Sequence, residues 1–257
     1  MTDPSQRRSD AAAGATLLEV DTGRFLWAVF LGCLIIEVAL VYLDLTVNWW
    51  RWSDSGAIRR LFNTTREDGL ASWFMISQTL IAALVAWMIF AVLVHQKTTA
   101  GRRIGWFVVA AFFTYMCADD GALIHERVGT AFKDSTGIGS FPSYAWQYVL
   151  MPFFATMGVF ILLFLWKEMP RTRDRVKVVA ALGCFAAAVA LDFVEGLDEG
   201  YRLLVDATGW RPATFRHFSK SLEEFLEMLV MTIFLVTFLG HLASVAPRLE
   251  VRSVGGD

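Results

Sequence analysis

Cysteine is scarce in this sequence. Cys33, Cys117 and Cys184 are the only three, each inside an apolar run and none in a CxxC pair. That pattern excludes a disulfide framework and a thiolate metal site, and the three read as small buried hydrophobes. Charge is scarce as well: Asp, Glu, Lys and Arg make up 19% of 257 residues, against 56% hydrophobic. Soluble domains carry about 25% charged residues. The net charge of -2 and the pI of about 6.1 supply no basic field for nucleic acid, which is excluded as a partner. There is no P-loop, no GxGxxG and no GxSxG, so no nucleotide cradle and no serine-hydrolase elbow.

What the sequence does have is long apolar blocks. Mean hydropathy is +0.48, and the apolar residues fall in runs of about 20, the length a helix needs to cross a bilayer. Six spans are expected, near 25–46, 70–95, 105–126, 145–166, 176–199 and 221–243. The fold class is therefore an all-α polytopic membrane bundle. A polar tail of residues 1–24 lacks a cleavable signal pattern, so the first block reads as an anchor; residues 244–257 form a second tail. Trp49, Trp50 and Trp52 beside Arg51 fit an interfacial belt. Lys97, Arg102 and Arg103 crowd one short connection, and Lys167, Arg171, Arg173, Arg175 and Lys177 crowd another. By the positive-inside rule both termini are cytoplasmic.

The acids then gather at the outer ends of the spans. The third span closes on Asp119, Asp120, His125 and Glu126; the fifth on Asp192, Glu195, Asp198 and Glu199; the sixth opens on Glu223, Glu224 and Glu227. Helical spacing puts Asp119 and Glu126 on one face, with Asp120 rotated off it. Asp192, Glu195 and Glu199 share a stripe at i, i+3 and i+7. Facing lipid, a charge at a helix centre costs about 2.5–3.5 kcal/mol. Facing inward, the carboxylates repel one another unless protons, basic partners or a metal ion compensate. Arg127, Arg202, Arg216 and Lys220 are fewer than the acids and lie mostly beyond the helix ends. A metal ion is the compact alternative, with Asp119, His125, Glu126, Glu195, Glu199, Glu223 and Glu227 as candidate ligands, of which four to six suit one ion. One imidazole among carboxylates suits Zn, Fe or Mn, and an all-oxygen subset suits Ca. Glu-x-x-His, the signature of di-iron bundles, is absent.

Plainer readings compete. Ser221 and Glu224 fit a capping box, and acids in a first turn favour the helix dipole. His125 alone could be a hydrogen-bonded helix-end histidine. His217, expected in a loop, and His241 have no acidic constellation and read as surface or interface residues.

Three segments, Asp119-Asp120…His125-Glu126, Glu195-Gly196 and Glu223-Glu224…Glu227-Met228, resemble those of a group of bacterial multi-pass membrane proteins. The resemblance implies that these residues belong to one site and brings no reaction with it. There is also a similarity to ceramidase-type intramembrane hydrolases, which rely on three histidines where this chain has His125.

Three functions are expected from these residues. The first is a bacterial inner-membrane protein binding a divalent metal at its outer end; as an enzyme it would act on a lipid or other apolar molecule, with Glu227 as base. The second is a proton- or cation-coupled transporter using the deeper Glu37 and Asp192. The third is a structural or accessory subunit whose acids form salt bridges.

Overall fold

In the computed structural model, residues 21–136, 146–196 and 198–247 are described, the side chains of Tyr148, Leu203 and residues 195–201 excepted. All regular structure among them is helical. Helix α1 (Thr22–Asp44) starts where the Asp21 carboxylate accepts from the Arg24 amide, and it runs on through a π-helical turn at Leu45–Trp49. Then come α2 (Gly56–Phe62), α3 (Leu70–His95), α4 (Ala100–Ala122), α5 (Ile124–Thr136), α6 (Trp146–Glu168), α7 (Thr172–Gly196), α8 (Asp198–Thr208) and α9 (Pro212–Val245). Five stretches are long and apolar enough to span a membrane: Thr22–Trp49, Leu70–His95, Val149–Glu168, Thr172–Val194 and Pro212–Val245. The bent pair α4–α5 makes a sixth when counted as one span. The chain is a multi-pass membrane bundle.

Its central post is α9, which packs on α1, α3 and α7. Val230, Phe234, Phe238 and Leu242 recur every four residues and so share a face, and all are buried. Phe234 and Phe238 meet Phe113 of α4 edge-on at 5.1 and 5.0 Å, and Trp106 meets Phe238 at 5.5 Å. Ala82, Ala83 and Ala86 of α3 are small, which allows α3 to lie close to its neighbours.

The two ends of the bundle differ. At one, which we call the basic end, Glu168 closing α6 is ion-paired with Arg102 of α4. His241 of α9 stands 3.5 Å from the same carboxylate and stacks on Trp106 at 4.9 Å. His241 therefore does have an acidic partner, contrary to the sequence-based expectation. Periodicity along a single helix gives no view of an acid on another.

At the other, acidic end, three expected boundaries move. The third span does not run through to 126: Leu123 takes a left-handed conformation (φ 55°, ψ 43°) and the chain turns by 69° into α5. Left-handed backbone costs a non-glycine residue about 1–2 kcal/mol, and Asp119 offsets it by accepting the His125 amide at 2.7 Å. The fifth span closes at Gly196, so Glu199 falls on the separate helix α8 and the expected single stripe is broken. The last helix begins at Pro212, where proline suits a first turn. Ser221 is thus mid-helix and no capping box forms; its hydroxyl donates to Asp44 instead, at 3.2 Å. His217 is likewise helical, not in a loop.

Close packing joins α5 to α6. A β-carbon on Gly129 would lie 2.6 Å from the Trp146 backbone nitrogen, and backbone cannot yield as a flexible side chain can. Gly129→Ala is expected to destabilise the protein by about 1–3 kcal/mol. A thermal melt indistinguishable from wild type would show that α6 is free to shift.

Candidate functional site

Between the acidic end and the middle of the bundle lies a cavity of about 1130 Å³. Its two halves differ in chemistry. One wall is an apolar lane between α6 and α7: Phe154, Gly158 and Leu162 on the first, Leu182, Phe185 and Val189 on the second. Spacings of three and four keep each set on one helical face. Ala155, Ala186 and Ala190 also line it, and these small side chains leave room. Met75, Met116, Met151 and Met231 add adaptable apolar surface.

The other half is polar. Lining it are eight acids (Glu67, Asp119, Asp120, Glu126, Asp192, Glu223, Glu224 and Glu227), three basic residues (Arg66, Arg216 and Lys220), and His125 and His217. The bend at Leu123 holds His125 in place. The Asp119 carboxylate takes the His125 amide with one oxygen and lies 3.0 Å from ring Nδ1 with the other, while Trp146 meets the ring edge-on at 5.2 Å. Asp119 is buried, so it positions the imidazole from behind.

Lys220 lies within the acid cluster. Its ammonium is 3.3 Å from Asp192 and donates to Glu223 at 3.2 Å, while Gln147 donates to the other Asp192 oxygen at 2.9 Å. Because α9 starts nine residues earlier than expected, Lys220 is an interior cation and not one beyond a helix end. A second buried carboxylate, Asp44, accepts from Asn48 at 2.9 Å and from Ser221 at 3.2 Å. His217 Nε2 stands 3.4 Å from it, at ion-pair distance without hydrogen-bond geometry, and its ring stacks on Trp49 at 5.4 Å. His217 therefore has an acidic partner and lines the cavity, which corrects the surface role expected for it.

Of the expected ligands, Asp119, His125, Glu126, Glu223 and Glu227 all line this cavity. Glu195 and Glu199 fall on residues whose side chains lie outside the described residues. Glu67, Asp120, Asp192, His217, Lys220 and Glu224 line the cavity as well but fall outside the ligand set expected from sequence, Asp192 being expected on a transport path instead. Asp120 was set aside because an unbroken helix rotates it away from Glu126, and the bend removes that geometry. Glu67, in the loop before α3, carried no signal that distinguishes it from any surface acid. Among the described residues, no three His, Cys, Asp or Glu side chains are gathered as closely as a metal ion needs.

Glu67 makes the mouth sensitive to pH. Burial pushes its carboxyl up to about 7, helped by the charge of Glu126 and a hydrogen bond to it. A raised acid contributes stability that is complete below its ordinary 4.5 and lost as pH rises through about 7. The junction between this loop and α5 is therefore expected to loosen as pH rises across that window. Hydrogen exchange of 124–136 should accelerate with pH beyond its intrinsic dependence in wild type and lose that excess in Glu67→Gln. An equal excess in both proteins would assign the effect elsewhere. Beside it, Arg60 and Arg66 hold exposed Asp68 down at about 2.

A family profile, Domain of unknown function (DUF8692), matches residues 28–242, from the first span to the last and across every cavity residue named above. The chain belongs to that family. No curated protein matches it. No solved structure matches it either.

Proposed function

We propose that this membrane protein binds an amphiphile drawn from the bilayer, with an apolar tail in the lane between α6 and α7 and a polar head among the carboxylates. The observation that carries this reading is the division of one cavity into an apolar lane and an acidic end. Pockets for apolar ligands are mostly hydrophobic with a few convergent polar groups that fix orientation, and the cavity fits that description. Eight acids against three Lys and Arg favour a head that is cationic or rich in hydrogen-bond donors. The His125–Asp119 pair beside Glu227 is equipment for general acid–base chemistry on that head, with Glu227 as base. The short basic connections at the opposite end support an orientation with both termini cytoplasmic and the acidic end outward, and in this reading the membrane is a bacterial inner membrane.

The same excess of acid favours a second reading, a divalent cation (Zn, Fe, Mn or Ca) held at the polar end. His125 has the metal-ligand pattern in which a carboxylate fixes the far ring nitrogen. An ion there would have to draw His125, Glu223 and Glu227 together from their present positions. One purification tests both readings. Protein extracted without added lipid is assayed for bound amphiphile by mass spectrometry and for metal by elemental analysis, beside His125→Ala/Glu223→Gln. A stoichiometric amphiphile in wild type supports the first reading, and a metal lost in the double variant supports the second. Neither, after incubation with total lipid extract and with each ion, overturns both and leaves the acids as a salt-bridge or proton network.

A further inference from the structure

Apart from the cavity, one polar set lies in the middle of the bundle. Glu37 of α1 is wholly buried, as are Gln78 of α3 and Thr232 of α9. The Gln78 amide donates to Glu37 Oε1 at 3.0 Å and to Thr232 Oγ1 at 2.6 Å, and the Thr232 hydroxyl bonds the same Glu37 oxygen. Two oxygens are left over. Glu37 Oε2 and Gln78 Oε1 are buried with no hydrogen-bond partner. Buried polar atoms are paired in the great majority of cases, so two orphans in one three-residue set need an account.

Counting donors and acceptors supplies it. An ionised carboxylate and an amide carbonyl only accept, so the set is short of hydrogen. Turning the Gln78 amide over would present its carbonyl to the carboxylate and deepen the shortage. A cation could compensate, but among the described residues Glu37 has no ion-pair partner. On the three helices packed around it, the nearest titratable side chains in sequence are Cys33, the exposed Tyr42 and Asp44 on α1, His95 on α3, and Glu227 and His241 on α9. None is Lys or Arg, and Asp44 and His241 are already engaged. A bare charge in a dry bundle is the most expensive of the alternatives.

We infer that Glu37 is a proton-binding site, its carboxyl held as the neutral acid with the hydrogen on Oε2. The added hydrogen removes the uncompensated charge, and a neutral buried oxygen without a partner costs far less than a charged one. The site adjoins the cavity wall in sequence: Met75, three residues before Gln78, and Met231, next to Thr232, both line the cavity. The ligand here is the hydron itself, stored beyond the apolar wall, and this assignment does not depend on what the cavity binds.

Infrared spectroscopy of the full-length protein in lipid bilayers, in H2O and D2O at neutral pH, tests it. A protonated carboxyl gives an isolated C=O stretch that shifts in D2O. The expected band is present in wild type, absent in Glu37→Gln and retained in Glu227→Gln. Thr232→Val keeps Glu37 but removes one hydrogen bond to its Oε1, and should move the band to higher frequency. That variant covers the case in which Glu37→Gln does not fold. A wild-type spectrum without such a band, or one indifferent to both Glu37→Gln and Thr232→Val, overturns the assignment.

Discussion

Replacing Lys220 by Met is expected to cost about 3–5 kcal/mol, the penalty for breaking a buried ion pair by removing one partner. The Lys220 side chain is 18% exposed, that of Asp192 13% and that of Glu223 8%, so solvent screens the three only weakly. Without the ammonium, two carboxylates face each other, one of them still accepting from the Gln147 amide. The sign follows from the partners left behind, and a second substitution shows it. Adding Glu223→Gln to Lys220→Met should recover a large part of the loss, because the repelling pair is then reduced to one charge. Unfolding of the purified protein in detergent measures both. A Lys220→Met variant as stable as wild type would mean that other groups neutralise the cluster.

The second large effect concerns the apolar lane. Gly158→Phe is expected to abolish amphiphile binding while leaving the fold intact. Gly158 lines the cavity, and a β-carbon built there meets no atom within 4 Å. A larger side chain can therefore extend into open space without moving the backbone, unlike one at Gly129, where Trp146 backbone blocks it. The ring would occupy the lane where a tail must lie. Lipid extraction followed by mass spectrometry should find the amphiphile in wild type and none in the variant, with melting temperatures equal. Undiminished binding with an intact fold would move the tail out of this lane.

How far the sequence could be read follows from the range of each signal. Spans are local: an apolar run of about 20 residues states its own requirement for lipid, and all six expected blocks contain or overlap helices here. The identity of the acidic end was legible for the same reason, because Asp119, Glu223 and Glu227 sit at the ends of such runs. Helix boundaries were not. The break at Leu123 falls on neither a glycine nor a proline; Gly121, two residues earlier, is still helical, and the left-handed position is held by Asp119 capturing an amide six residues later. The early start of α9 at Pro212 hid two facts at once: Ser221 is a hydrogen-bond donor to Asp44 rather than a cap, and Lys220 is an interior cation. Partners on other helices were beyond periodicity altogether. Asp44 with His217 and Glu168 with His241 are separated by 173 and 73 positions, and only the packing of the bundle brings them together. Glu67 is the limiting case, a loop acid made special by burial and then by Glu126, which sits on a helix that local sequence does not separate.

An amphiphile in this cavity must reach the interior of the bundle, and one residue reports on that most directly. Met231 lines the cavity and is only 5% exposed, so a photo-reactive benzoylphenylalanine in its place samples the interior and not the surrounding bilayer. Irradiation in native membranes, followed by mass spectrometry of the peptide, is expected to show an adduct of lipid mass that disappears when Gly158→Phe is added. Cross-links to protein alone, with no lipid-sized adduct in native membranes, would contradict the proposal that this cavity is a binding site.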